Sequence, residues 1–201
     1  MGDPAEKRAP SATYADLVAA PAHLVAELVD GVLYTSPRPA SPHAHAASVL
    51  GMDIGSPFQR GRGGPGGWHI LYEPELHFGD DVLVPDLAGW RRERMPDLPQ
   101  VAFFTLPPDW VCEVLSLSTA SLDRTRKRPA YAAAGVTWLW LVDPLARMLE
   151  VFRLGPQKRW VVEQGFSGDA VVRASPFEAI ELELSALWLP EAPERPEGEA
   201  P

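Results

Sequence analysis

The chain has 201 residues, 46% of them hydrophobic, and a formal net charge of −9. That length and apolar content support one substantial core, and the acidic balance argues against a surface coated with the Lys and Arg that phosphate binding rests on. The lone Cys112 excludes an internal disulfide and a thiolate zinc cluster. No run approaches the ~20 apolar residues of a membrane helix, and Met1-Gly2-Asp3-Pro4 opens no signal peptide, so the cytoplasm of a prokaryotic-type cell is the expected compartment.

Residues 1–12 and 191–201, rich in Pro, Ala and charge without periodicity, read as flexible ends. The second is an acidic tail with Glu191, Glu194, Glu197 and Glu199 against Arg195. A single domain is expected over residues 13–190. Thr13 with Asp16 three residues on predicts a capped helix to Ala20, stopped by Pro21. Leu24–Val29 and Val32–Thr35 flank Asp30-Gly31, a two-residue hairpin signal that puts Glu27 on the first strand. Ser41-Pro42, as N-cap and first helical residue, predict a helix through His43, His45, Val49, Leu50 and Ile54 into the glycine-rich stretch 61–67.

Trp68–Phe78 and Val82–Trp90 read as two strands around the Gly79-Asp80-Asp81 turn, followed by a Pro-rich loop over Met95–Pro108. Asp109–Leu115 is a dense apolar strand. Ser116–Ser121 supply cap chemistry for a helix that ends at Ala134 before Gly135, and Val136–Asp143 is a second buried strand. Strand, helix, strand predicts a crossover at the centre of a mixed sheet. Met148–Leu154, Arg159–Gln164, Ala170–Arg173 and Ile180–Leu184 read as a closing antiparallel set, with Leu187 and Trp188 in a last hydrophobic turn.

Two acidic residues interrupt segments that otherwise read as buried: Asp86 in Val82–Leu87 and Glu113 in Trp110–Leu115. Desolvated carboxylates brought together repel unless a proton or a cation holds them, so a divalent-metal site is the economical reading. The bland readings are a strand-end aspartate after Pro85, a hydrogen-bonded structural Glu113 and a Glu27 that alternation points to solvent. Arg91-Arg92-Glu93-Arg94 and Arg124-Thr125-Arg126-Lys127-Arg128 read as solvated faces. His43 and His45 diverge by about 200° on a helix, so at most one faces the site, with His45 a candidate for a phosphate or water contact. Trp138, Trp140 and Trp160 read as core.

The ordered segments Glu27-Leu28-Val29-Asp30-Gly31, Ser36-Pro37 with His43 and His45, Val84-Pro85-Asp86-Leu87-Ala88 and Cys112-Glu113-Val114-Leu115-Ser116 with Ser118-Thr119 form one half of a longer pattern. Asp123 and Lys127 before Tyr131-Ala132-Ala133-Ala134-Gly135-Val136, then Trp140-Leu141-Val142-Asp143-Pro144, complete it. Together they resemble the Uma2 family of the PD-(D/E)XK nuclease superfamily. The resemblance implies an α/β (α+β) fold: a restriction-endonuclease-like mixed sheet flanked by helices, with additional antiparallel strands. It implies a metal-dependent endonuclease that hydrolyses phosphodiester bonds in nucleic acid, DNA being the expected one, with Mg²⁺ (or Mn²⁺) as cofactor. Asp86 and Glu113 are the implied metal ligands, and Glu27, Asp86, Glu113 and Lys127 the implied catalytic set. Carboxylate ligands without His or Cys favour such hard cations over zinc.

The superfamily pattern has a lysine two residues after the second acidic residue, where this chain has Leu115. Lys127 matches a lysine that family members carry on the following helix, and Pro129 in that helix must remove a backbone hydrogen bond or kink it. A catalytically reduced fold that binds nucleic acid or protein is the alternative. A two-carboxylate sugar hydrolase, with Asp86 and Glu113 about 5 to 10 Å apart and no need of metal, is a third. A homodimer suits the cutting of two strands, an expectation without a motif.

Overall fold

The computed structural model describes residues 11–190. The expected flexible ends lie outside that range except for Ser11 and Ala12, and the Ala12 amide donates to the Gly31 carbonyl at 2.8 Å. Helix α1, Tyr14–Val18, starts on the predicted capping box: the Thr13 hydroxyl accepts from the Asp16 amide while the Asp16 carboxylate accepts from the Thr13 amide at 2.7 Å. Strands β1, Leu24–Val29, and β2, Val32–Pro37, form the hairpin. Both turn residues have positive φ, Asp30 at 53° and Gly31 at 72°, as a twist-matched two-residue turn requires. Helix α2 spans Ser41–Ile54 and runs on as a π-helical turn, Gly55–Gln59, before the glycine-rich stretch. Its cap is Ala40 with no side-chain bond, so Ser41 is already helical and Pro42 sits in the first turn, where no amide partner is lost.

The two strands expected between Trp68 and Trp90 are four. They are β3, Trp68–Tyr72; β4, Leu76–Phe78; β5, Asp81–Leu83; and β6, Leu87–Arg91. Each break falls at a proline. Pro74 follows Glu73, whose φ of 43° leaves the strand region, and Pro85 follows Val84. A proline cannot donate to a ladder, so the chain leaves one sheet and enters another at each. Strands β2-β1-β5-β4 make a four-stranded antiparallel sheet.

The larger sheet has six strands. It adds β7, Trp110–Val114; β8, Trp138–Asp143; β9, Met148–Leu154; and β10, Trp160–Ser167, in the order β10-β9-β8-β7-β6-β3. Only β7 and β8 are parallel, so the predicted crossover sits at the centre of a mixed sheet. The crossover is one helical run: α3, Ala120–Leu122, a π-helical turn over Asp123–Lys127, and α4, Arg128–Ala134. The wider turn accepts Pro129, because the Arg128 amide bonds back five residues to Asp123 just before the ring that has no amide to offer. Gly135 closes α4 in the left-handed conformation at φ 88°. A small pair, β11 (Val171–Val172) and β12 (Leu182–Glu183), leads to a 3₁₀ turn at Leu184–Leu187.

Alternation along the central strands divides the core in two. Trp110, Cys112, Val114, Trp140 and Val142 pack towards α2 and the C-terminal segment, while Val111, Leu115, Leu139 and Leu141 pack towards α4 and the smaller sheet. Phe177 is fully buried at the centre of the first layer, with ring centroids 4.6 to 5.6 Å from those of Phe58, Trp68, Trp110 and Trp140. Phe177→Ala therefore opens a cavity among four aromatic rings and should cost about 3–5 kcal/mol, read as a shift of the urea midpoint; a change below about 1 kcal/mol would contradict this packing.

Candidate active site

The second core layer carries the polar site. Glu113 lies on the same face of β7 as Val111 and Leu115, where another apolar side chain would complete the layer, and it is 3% exposed. Glu27 is 5% exposed on β1. The alternation of that strand stops at Glu27: it and the next two residues are all buried, because both faces of the strand end are covered. Asp86 follows Pro85 at the crossing from the small sheet to the large one. The four residues expected at the site thus come from both sheets and the crossover helix.

Lys127 joins them. Its Nζ lies 2.9 Å from Glu27 Oε1, 2.9 Å from Glu113 Oε1 and 3.4 Å from Asp123 Oδ1, and its side chain is 4% exposed. The solvated face expected for this basic run holds for its neighbours but not for Lys127. Asp123, Lys127 and Tyr131 recur every four residues, which stacks them on one helix face through the π turn. The Tyr131 hydroxyl donates to Glu113 Oε1 at 2.5 Å. Leu115, two residues after Glu113, stays apolar and buried, and the ammonium that meets Glu113 comes from the helix.

The backbone fixes the acids further. The Val84 amide donates to Glu27 Oε1 at 2.8 Å and the Val114 amide to Asp86 Oδ2 at 2.7 Å. Asp86 Oδ1 meets His43 Nε2 at 2.6 Å. His43, not His45, is the histidine at the site: His45 Nε2 bonds the Ala186 carbonyl at 3.0 Å. His43 Nδ1 is buried with no hydrogen-bond partner among the described residues. Glu27, His43, Asp86, Glu113, Asp123 and Lys127 line a cavity of about 420 Å³, whose exposed lining includes Leu117, Leu145 and the Arg38–Glu73 ion pair.

Charge in this cavity is unbalanced. Glu27, Asp86, Glu113 and Asp123 face the single Lys127 ammonium, and the other charges of the lining, Arg38 and Glu73, pair with each other at 3.5 Å. Burial raises the Glu113 carboxyl well above its ordinary range; Lys127 opposes the rise, and Asp123, Asp86 and Glu27 add to it. Burial also raises Asp123, again against Lys127. For Lys127 itself burial favours the neutral amine, but Glu113 and Glu27 outweigh it and hold the ammonium protonated well above the usual lysine range. The cluster therefore keeps a cation at its centre and still attracts positive charge or a proton.

Among the described residues no three His, Cys, Asp or Glu side chains converge as a ready metal cage. A Mg²⁺ site commonly uses only one or two carboxylates with waters and substrate phosphate. Asp86 and Glu113 fit that smaller demand, since they are all-oxygen donors in a cavity with excess negative charge.

The mixed six-stranded sheet with its crossover helix and second small sheet defines an α+β fold that is shared with a solved structure. This is the crystal structure of a "putative nuclease belonging to DUF820" from Anabaena variabilis ATCC 29413, similar at a TM-score of 0.70 and 24% identity over 87% of this chain and 96% of that one. A comparison with curated proteins gives no match. The family model described as "Uma2: Putative restriction endonuclease" matches residues 12–186, and the chain belongs to that family.

Lys127→Met leaves buried carboxylates without their cation, which should destabilise the fold by about 3–5 kcal/mol at neutral pH. With Lys127 gone, the opposing influence on Glu113 is lost and its folded-state pKa stays above the unfolded value. The stabilisation from holding that proton is complete below the unfolded value near 4.5 and is lost as pH rises through the folded one. Thermal melting of the variant should accordingly be closest to wild type in mild acid and fall behind towards neutral pH; a pH-independent gap would contradict the buried cluster.

Proposed function

We propose that the cavity hydrolyses phosphodiester bonds of nucleic acid, DNA in the first instance, with Mg²⁺ or Mn²⁺ as cofactor. The observation that carries this reading is Lys127, delivered from a helix to a point 2.9 Å from both Glu27 and Glu113 in the cavity that also holds Asp86. Asp86 and Glu113 would hold the cation, which would neutralise charge on the scissile phosphate and acidify a water beside it.

The chain's own groups supply the rest. The Lys127 ammonium stays protonated in its acidic surroundings, so it serves as a hydrogen-bond donor and fixed positive charge towards the attacking water and the phosphoryl oxygens rather than as a base. Glu27, held by the Val84 amide, orients Lys127 and completes the acidic shell. Tyr131 fixes the rotamer of Glu113, and His43 with the Val114 amide fixes both oxygens of Asp86, so the two acids are positioned before substrate arrives.

A second reading has one observation in its favour: every acid of the cluster already has a protein partner, which suits a module that binds nucleic acid or protein without cutting. Cleavage of labelled DNA in Mg²⁺ or Mn²⁺ separates the two. Asp86→Asn and Glu113→Gln should each lower the metal-dependent rate by about 10³-fold or more, and Lys127→Met, assayed well below its melting point, by about 10²-fold. Equal cleavage by wild type and both acid variants would sink the proposal.

A further inference from the structure

A second concavity, of about 590 Å³, lies on the outer side of the helix that carries Lys127. Its charged lining is Arg124, Arg128, Lys158 and Arg159, without an Asp or Glu, in a chain of net charge −9. Arg124 and Arg128 each follow by one residue the inward-facing Asp123 and Lys127. Helix geometry turns them about 100° from the carboxylates, onto the adjoining face. Arg124 is committed to Glu150 at 2.6 Å. Arg128, Lys158 and Arg159 pair with no carboxylate among the described residues.

Arg128 and Lys158 are held in place without being neutralised, and the Arg159 side chain is exposed beside them. The Arg128 guanidinium lies 4.5 Å over the Phe152 ring, and the Trp160 indole donates to the Arg128 carbonyl at 2.7 Å. Lys158 Nζ donates to the Ala133 carbonyl at 2.5 Å, at the C-terminal end of α4. Lys158 and Arg159 project from the loop between β9 and β10, where Gln157 and Lys158 take φ values of 60° and 55°. Two successive left-handed residues would be easier for Gly or Asn, so the loop keeps long side chains where the backbone alone does not favour them.

Resting on the phosphodiesterase reading above, we infer that this concavity is the phosphate-backbone track for nucleic acid. A strand with one phosphodiester in the carboxylate cavity would cross the helix and lay its neighbouring phosphates on Arg128, Lys158 and Arg159. The acids of the cavity outnumber its cations and repel a polyanion, and the net charge gives no long-range attraction. Affinity must then come from a local cationic surface, where each phosphate neutralised releases counterions. Guanidinium and ammonium groups without carboxylate partners are suited to that contact.

The test is fluorescence anisotropy of a labelled DNA oligonucleotide, single-stranded and duplex, without divalent metal, beside hydrolysis of a thymidine dinucleotide in Mn²⁺. Lys158→Glu/Arg159→Glu should weaken DNA binding by about 10-fold or more at low salt and flatten the dependence of log Kd on log salt by about 1 to 2. Lys158→Arg/Arg159→Lys should bind within about twofold of wild type, and neither change should alter dinucleotide hydrolysis, because neither residue touches the carboxylate cavity. Unchanged affinity and salt slope after charge reversal would overturn the track while leaving the nuclease reading intact. Failure of the wild type to hydrolyse any phosphodiester would overturn the nuclease reading, and charge-dependent DNA binding would still support the track.

Discussion

The Lys127 ammonium, enclosed by Glu27, Glu113 and Asp123, is the contact that ties the parts of this molecule together. Glu27 belongs to the small sheet, Glu113 to the large one, and Lys127 to the helix that crosses between two parallel strands. A buried ammonium is costly unless carboxylates surround it, and buried carboxylates are costly without a cation, so each element makes the burial of the others tolerable. The excess of acid over base at this point is what the proposed cation site rests on.

Two prolines bring that cluster about. At Pro74 and Pro85 the chain changes sheets, and the second change leaves Asp86 at the junction, where the amide of Val114, the residue after Glu113, donates to one of its oxygens. Without the switch, Asp86 would lie along a continuous strand. The π-helical turn before Pro129 plays a matching part on the helix, widening one turn so that the ring is accommodated and Asp123, Lys127 and Tyr131 all face Glu113.

The sequence is legible where local chemistry dominates. The capping box at Thr13, the Asp30-Gly31 turn, the Gly135 cap and the parallel pair around the crossover all follow from short-range rules. Glu113 is visible because it is the one charge in an apolar strand. Glu27 is harder, since the pattern of Leu24–Val29 allows an outward glutamate and only the packing of Lys127 against it makes the position interior. Lys127 hides within an arginine-rich run that otherwise reads as solvated, and its match to the Uma2 pattern is what singles it out. The four-residue spacing of Asp123, Lys127 and Tyr131 is a signal that finds the inward face from residues alone. His43 carries none that separates it from His45, because the turn of α2 that faces Asp86 depends on how that helix docks on the large sheet. The breaks at Pro74 and Pro85 were equally silent, each proline being acceptable at a strand end.

The claim on which all of this turns is that the excess charge beside Lys127 is a cation site rather than a structural ion-pair network. Mn²⁺ titration calorimetry on the wild-type protein beside Glu113→Gln tests it without any choice of substrate. Saturable Mn²⁺ binding by the wild type, removed by the substitution while the fold persists, is the expected result; Mn²⁺ binding of equal strength in both proteins would contradict a cation site at Glu113.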